Sequence, residues 1–251
     1  RFPQFAQLAA SGFTSNAIIQ HQAGPRAEVE DEWGNLFVAD TANRVTIYYP
    51  GLAALNAANY LNQNVLAPGM ITAIFSQGNS DQFGPEPAQA SALPLPKTLN
   101  GLQVLLNNEP VPIFYAGSNQ INVQIPWGAA QSGLTELLVT DVATGRVLGA
   151  TTVLMNTVNP GLFTQAGNGI GAAAALNEDN TVNSATNPAL QGSVIQLFGT
   201  GQGFVAGVAD GDAADINEYT GGHYVVQKAH GRKDIGRRQR QTPGGFFELM
   251  G

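Results

Sequence analysis

The chain has 251 residues, of which 43% are hydrophobic and only 12% charged, with a net charge of −7 and no cysteine. That length suits one large domain or two small ones. The acidic balance argues against nucleic acid as a partner, because phosphate binding needs a basic face, and the lack of Cys excludes a disulfide framework, a thiolate metal site and a Cys nucleophile. Thirty Gly and 14 Pro, set among many β-branched residues and few charges, predict an all-β protein. No apolar run approaches the roughly 20 residues that a bilayer-spanning helix needs. The first residue is Arg1 rather than Met, with no export signal before it. A longer natural protein is therefore expected, its signal peptide lost.

The first ordered pattern is "AEVEDEWGNLFVADTANRVTIYYP". Ala27, Val29, Leu36 and Val38 fall at strand spacing around a turn at Asp31–Asn35, and Val45, Ile47 and Tyr49 alternate after a second turn at 40–43. Three short antiparallel strands are predicted. The motif "GNLFVADTANRV" closely resembles an NHL repeat, the blade unit of a β-propeller. The resemblance implies that Asp40, Asn43 and Arg44 brace a turn, a role that suits short polar side chains in any case. A single blade cannot bury both of its faces, so residues 1–51 are expected to be part of a larger propeller.

Between Leu52 and Met155 the strand signals multiply. Met70–Phe75 is a continuous apolar stretch, as expected of a strand covered on both faces. "LQVLLNNEPVPIFY" reads as a hairpin turning at Asn107-Asn108, residues that tolerate positive φ. In "INVQIP", Ile121, Val123 and Ile125 point one way and Asn122 and Gln124 the other. "ELLVTDVATGRVLGATTVLM" is a second hairpin, turning at Ala143-Thr144-Gly145. Many strands at hairpin spacing favour a β-sandwich.

"GMITAIFSQG" (69–78) and "GSVIQLFGTG" (192–201) match at Gly69/Gly192, Ile71/Val194, Ile74/Leu197, Phe75/Phe198 and Gly78/Gly201, all at one offset. Matches at a constant offset predict two copies of one unit, with a boundary in the Asn-, Gly- and Pro-rich stretch 156–169. From about residue 55 to 212 the order of motifs ("LPLPKTLNGLQVLLNNEPVPIFYAGSNQINVQIPW", "NPGLFT", "NPALQGSVIQLFGTGQG") resembles the C-terminal domain of Solibacter-type secreted proteins of Acidobacteria. That resemblance implies an immunoglobulin-like fold, a secreted or cell-surface location and no enzymatic activity. It lapses after "ADGDAA", where six of the eleven Lys and Arg residues fall between Lys228 and Arg240. The expected organisation is a partial NHL blade at 1–51, an immunoglobulin-like sandwich at 52–158, the first part of a second sandwich at 159–212, and a divergent basic tail at 213–251 with few regularly spaced apolar residues and a disordered character.

Chemistry-bearing residues are sparse. His21, His223 and His230 are not spaced as paired ligands, nor beside a nucleophile. "GTGQG" (199–203) lacks the Lys-Ser/Thr of a phosphate loop and reads as a tight turn. Asp210, Asp212, Asp215 and Glu218 gather enough carboxylate oxygens to hold Ca²⁺, but not at EF-hand spacing, and an acidic surface turn is the plainer account. Trp33 and Trp127 are at strand ends, where an indole either stacks on a glycan or caps a core. No cofactor is expected. Taken together, the sequence predicts a non-catalytic, secreted or cell-surface module for structure, adhesion or assembly, self-pairing through open strand edges. The alternative is an accessory polysaccharide-binding module with Trp127 at its groove. A propeller-borne lyase or hydrolase ranks last, since the metal-binding His residues of such enzymes have no counterpart in the motif.

Overall fold

A computed structural model of the chain describes residues 25–32, 34–40, 45–77, 81–84, 86–212, 223–227, 239–242 and 246–249. Over these residues the protein is all-β, with nineteen strands and no helix. β1 (Pro25–Glu30), β2 (Leu36–Asp40) and β3 (Val45–Tyr48) form an antiparallel meander. Its first turn is closed by Asp31, whose carboxylate accepts the Asn35 backbone N–H and side-chain amide, both at 2.9 Å. A carboxylate that takes two local donors frees the backbone to reverse direction.

The next ten strands build two five-stranded sheets: β4 (Leu52–Asn56), β5 (Val65–Leu66), β6 (Ile71–Ser76), β7 (Ala88–Gln89), β8 (Leu102–Leu106), β9 (Glu109–Pro110), β10 (Ile113–Ala116), β11 (Gln120–Gln124), β12 (Gly133–Asp141) and β13 (Val147–Met155). The first sheet runs β4-β6-β11-β10-β7 and the second β5-β13-β12-β8-β9. Side chains at alternate positions of both sheets share one core: Ile74, Ile121 and Val123 come from the first, and Val104, Leu137 and Val139 from the second, all fully buried. The predicted β12–β13 hairpin forms in full, and the predicted hairpin at Asn107-Asn108 forms only over its first two returning residues. Asn107 and Asn108 adopt φ of 51° and 64° in the β8–β9 turn, and the β12–β13 turn is held by Asp141, which accepts the Thr144 N–H at 2.9 Å. Glu109-Pro110 keeps β9 to two residues. The chain then crosses to the first sheet as β10, because Pro cannot extend a ladder inside a sheet.

Strand pairing runs parallel to the internal echo over three strands. β15 (Ala175–Leu176), β16 (Val194–Thr200) and β17 (His223–Gln227) repeat β4, β6 and β11. Ala175 faces Leu197 as Ala54 faces Ile74. Tyr224 faces Leu197 as Ile121 faces Ile74, and Gln227 faces Val194 as Gln124 faces Ile71. The repeat reaches further back than the quoted motif, since "ALN" recurs at 54–56 and 175–177, with a connection to the next strand two residues longer in the second copy. β14 (Gly161–Leu162) adds to the same edge of β16. β17, β18 (Gln239–Thr242) and β19 (Phe246–Leu249) are strands within the stretch expected as a disordered tail.

Candidate functional site

The β1–β2–β3 sheet has two unlike faces, and its register defines them. Leu36 lies opposite both Glu30 and Tyr48, and Val38 opposite Glu28 and Thr46. Leu36, Val38 and Tyr48 are buried against Ala150, with Leu138 and Val147 beside them. The inner face is therefore seated on the outer surface of the β12–β13 hairpin. The Ala150 N–H donates to the Pro50 carbonyl at 2.9 Å, and Gly51 bridges Ala150 in parallel, tying the segment that leaves β3 to β13. The remaining positions form the outer face in two rows, Val29–Phe37–Ile47 and Ala27–Ala39–Val45. Val29, Val45 and Ile47 are 63%, 65% and 42% exposed. Scattered apolar residues on a surface need no explanation, but adjoining rows across three strands form a continuous patch of the kind that marks an interface. Glu28 and Glu30 belong to the inner rows, opposite Val38 and Leu36, and stay exposed because β1 is the edge strand.

A second feature is the polar junction between the two repeated units. Asn56 is fully buried, and its amide donates to the Asn159 carbonyl at 2.7 Å. The Asn159 side chain donates to the Val65 carbonyl at 2.8 Å and accepts from the Asn62 amide at 3.0 Å. Thr200 Oγ1 accepts the Ile71 N–H at 2.8 Å, and Gln124 Oε1 accepts the Gly211 N–H at 2.7 Å. Buried amides persist only when their donors and acceptors are matched, and here each partner comes from the other unit. Asn159, within the stretch 156–169, carries three of these bonds. Gly201 has φ of +84°, and a Cβ there would lie 2.0 Å from the Asn159 carbonyl oxygen, so only glycine permits this approach.

The expected site residues separate. Asp40 ends β2, where it is the register partner of Pro25. Asn43, Arg44, Asp215, Glu218 and Trp33 fall outside the described residues. Asp210 Oδ1 accepts the Trp127 backbone N–H at 2.8 Å, a structural bond between the units. Asp212 is exposed in the turn that follows. Among the described residues no group of three or more His, Asp or Glu gathers as for a metal ion. Asp210 also lines a shallow cleft of about 350 Å³ with Lys97, Glu109, Pro110, Pro126 and Met155.

Trp127 is only 2% exposed. Its six-membered ring lies over Gly69, where an added Cβ would stand 2.0 Å from Cζ3. Of the two roles expected for this indole, the ring takes the core-capping one, because a large aromatic at a strand end gains most by covering apolar neighbours.

Neither the outer face of β1–β2–β3 nor the Asn junction was read from the sequence. The first had a signal in the two interleaved apolar rows, which only a register separates into faces. The second had Asn56 closing the apolar run of β4, an unfavourable place for Asn unless it is bonded. No protein-family model, no curated protein and no solved structure matches the chain.

Proposed function

We propose that the chain is a non-catalytic structural and assembly module of a secreted or cell-surface protein. In this reading an immunoglobulin-like sandwich, followed by an incomplete second copy, carries an NHL-like blade as its docking element. The observation that supports it most is the blade's outer face, with Val29, Phe37, Ile47 and Val45 in adjoining rows beyond a sheet whose inner face is already seated on β12–β13. Apolar surface on this scale is stabilised when a partner removes it from water, at about 25 cal/mol per Å².

Sedimentation velocity over a concentration series tests the reading. The wild-type chain associates as concentration rises. The double variant Val29→Lys, Ile47→Lys stays monomeric with an unchanged far-ultraviolet circular dichroism spectrum, since both positions are exposed. A wild-type chain that stays monomeric and is retained on a polysaccharide column would replace this reading with an accessory glycan-binding one.

A further inference from the structure

The outer surface of the β12–β13 hairpin extends beyond the residues on which β1–β2–β3 is seated. Side chains of β12 and β13 alternate between the core and this surface. Leu137, Val139, Val153 and Met155 enter the core. The register pairs on the outer side are therefore Leu138–Ala150, Glu136–Thr152 and Leu134–Leu154. The inner face of β1–β2–β3 packs on the first of these pairs. The last pair lies open, with Leu134 69% and Leu154 40% exposed. Leu134 stands about 13 Å along the strand from Leu138.

The molecule thus presents two apolar levels that face the same way. The upper level is the outer face of β1–β2–β3, where Val29, Val45 and Ile47 are exposed. The lower level is the Leu134–Leu154 end of the hairpin. Stacked sheets lie about 10 Å apart, so the step between the levels is one sheet thick. The lower level continues the same hairpin surface that already holds the inner face of β1–β2–β3. It is therefore a surface of the right kind for the outer face as well. Stacking two copies outer face on outer face would leave Leu134 and Leu154 in water, whereas a reciprocal seat removes both levels from water at once. From these observations, and resting on the assembly reading above, we infer that two copies interlock through their steps. The outer face of β1–β2–β3 of each copy lies on the Leu134–Leu154 surface of the other. The two three-stranded sheets then sit side by side in one layer, between two β12–β13 hairpins. The contact is two-fold and closed, so assembly stops at the dimer.

Variants of the full chain test this in sedimentation velocity, with circular dichroism checking the fold of each. The wild type passes from monomer to dimer as concentration rises and grows no further. Leu134→Lys, Leu154→Lys leaves the upper level untouched yet loses about 10-fold or more in association constant, as does Val29→Lys, Ile47→Lys. Leu134→Lys alone, at the more exposed position, weakens the dimer in the same sense and serves where the double variant loses the native spectrum. An equimolar mixture of the two double variants dimerises more tightly than either alone, because one of its two seats keeps both wild-type surfaces. A Leu134→Lys, Leu154→Lys chain that dimerises like the wild type would show that the two outer faces stack on each other. A wild type that grows beyond the dimer would show an open chain. Either result overturns the reciprocal seat and leaves the assembly reading standing. A wild-type chain monomeric throughout overturns both.

Discussion

Ile74 and Leu197 occupy the same place in two copies of one three-stranded unit, between Ala54 and Ile121 in the first and between Ala175 and Tyr224 in the second. Ile74 is 0% exposed, whereas Leu197 is half-buried. Register and burial therefore have different origins. Register follows from backbone pairing and from which residues alternate toward which face. Burial follows from what lies opposite, and among the described residues the first copy has a five-stranded sheet there. The second copy instead gains its hold on the molecule through hydrogen bonds, centred on Asn159, Thr200 and Asp210.

The widest contrast is expected in the core. Ile74→Ala deletes methyl and methylene groups that have no route to solvent, and costs about 2–5 kcal/mol. Leu197→Ala removes side-chain surface that is already partly wet and costs less than half as much. Urea denaturation of the full-length variants measures both, and equal losses would mean that the second ladder is covered as fully as the first.

Gly69 and Gly192 repeat the comparison at a backbone position. Both have positive φ, 69° and 86°, so Ala at either carries the same left-handed strain. Only at Gly69 would the new Cβ strike Trp127, while at Gly192 nothing lies within 4 Å. Gly69→Ala is expected to exceed Gly192→Ala by about 1–3 kcal/mol, the range for overpacking a core. Parity between the two would show that Trp127 can swing aside without loss.

Asn159→Ala addresses the junction. It strips the Val65 carbonyl of its buried donor, at about 1–3 kcal/mol, while the exposed Asn62 amide can turn to water. The backbone amides of β16 should then exchange with solvent sooner than those of β6. If both strands stay equally protected, the junction is not what couples the units.

The smallest effect belongs to a turn. Hydrogen bonds from the Thr144 backbone and hydroxyl hold the Asp141 carboxyl below its ordinary range. Because the folded value is depressed, this contribution is fully present above the unfolded value and fades as pH falls through the folded one. Asp141→Asn should lower the melting temperature slightly at neutral pH and not at all once the wild-type carboxyl is protonated. A pH-independent difference would assign the loss to turn geometry instead.

Sequence alone determined whatever depends on neighbours along the chain. The turns at Asn107-Asn108 and Thr144-Gly145 were legible because few residues accept positive φ there. The inward set Ile121, Val123 and Ile125 was legible because strand side chains alternate with period two. The two copies were legible because a constant offset survives any arrangement in space. Tertiary structure alone decided the fate of residues whose partners are remote in sequence. Gln124, assigned to the polar side of its strand, is buried because the Gly211 N–H reaches it. Trp127 turns inward over Gly69, and Val29 faces outward while Leu36 faces inward because one register of three strands meets one hairpin. A side chain's polarity fixes what it can bond or cover. Which of these it does is set by the surface that folding brings opposite, and no local pattern encodes that surface.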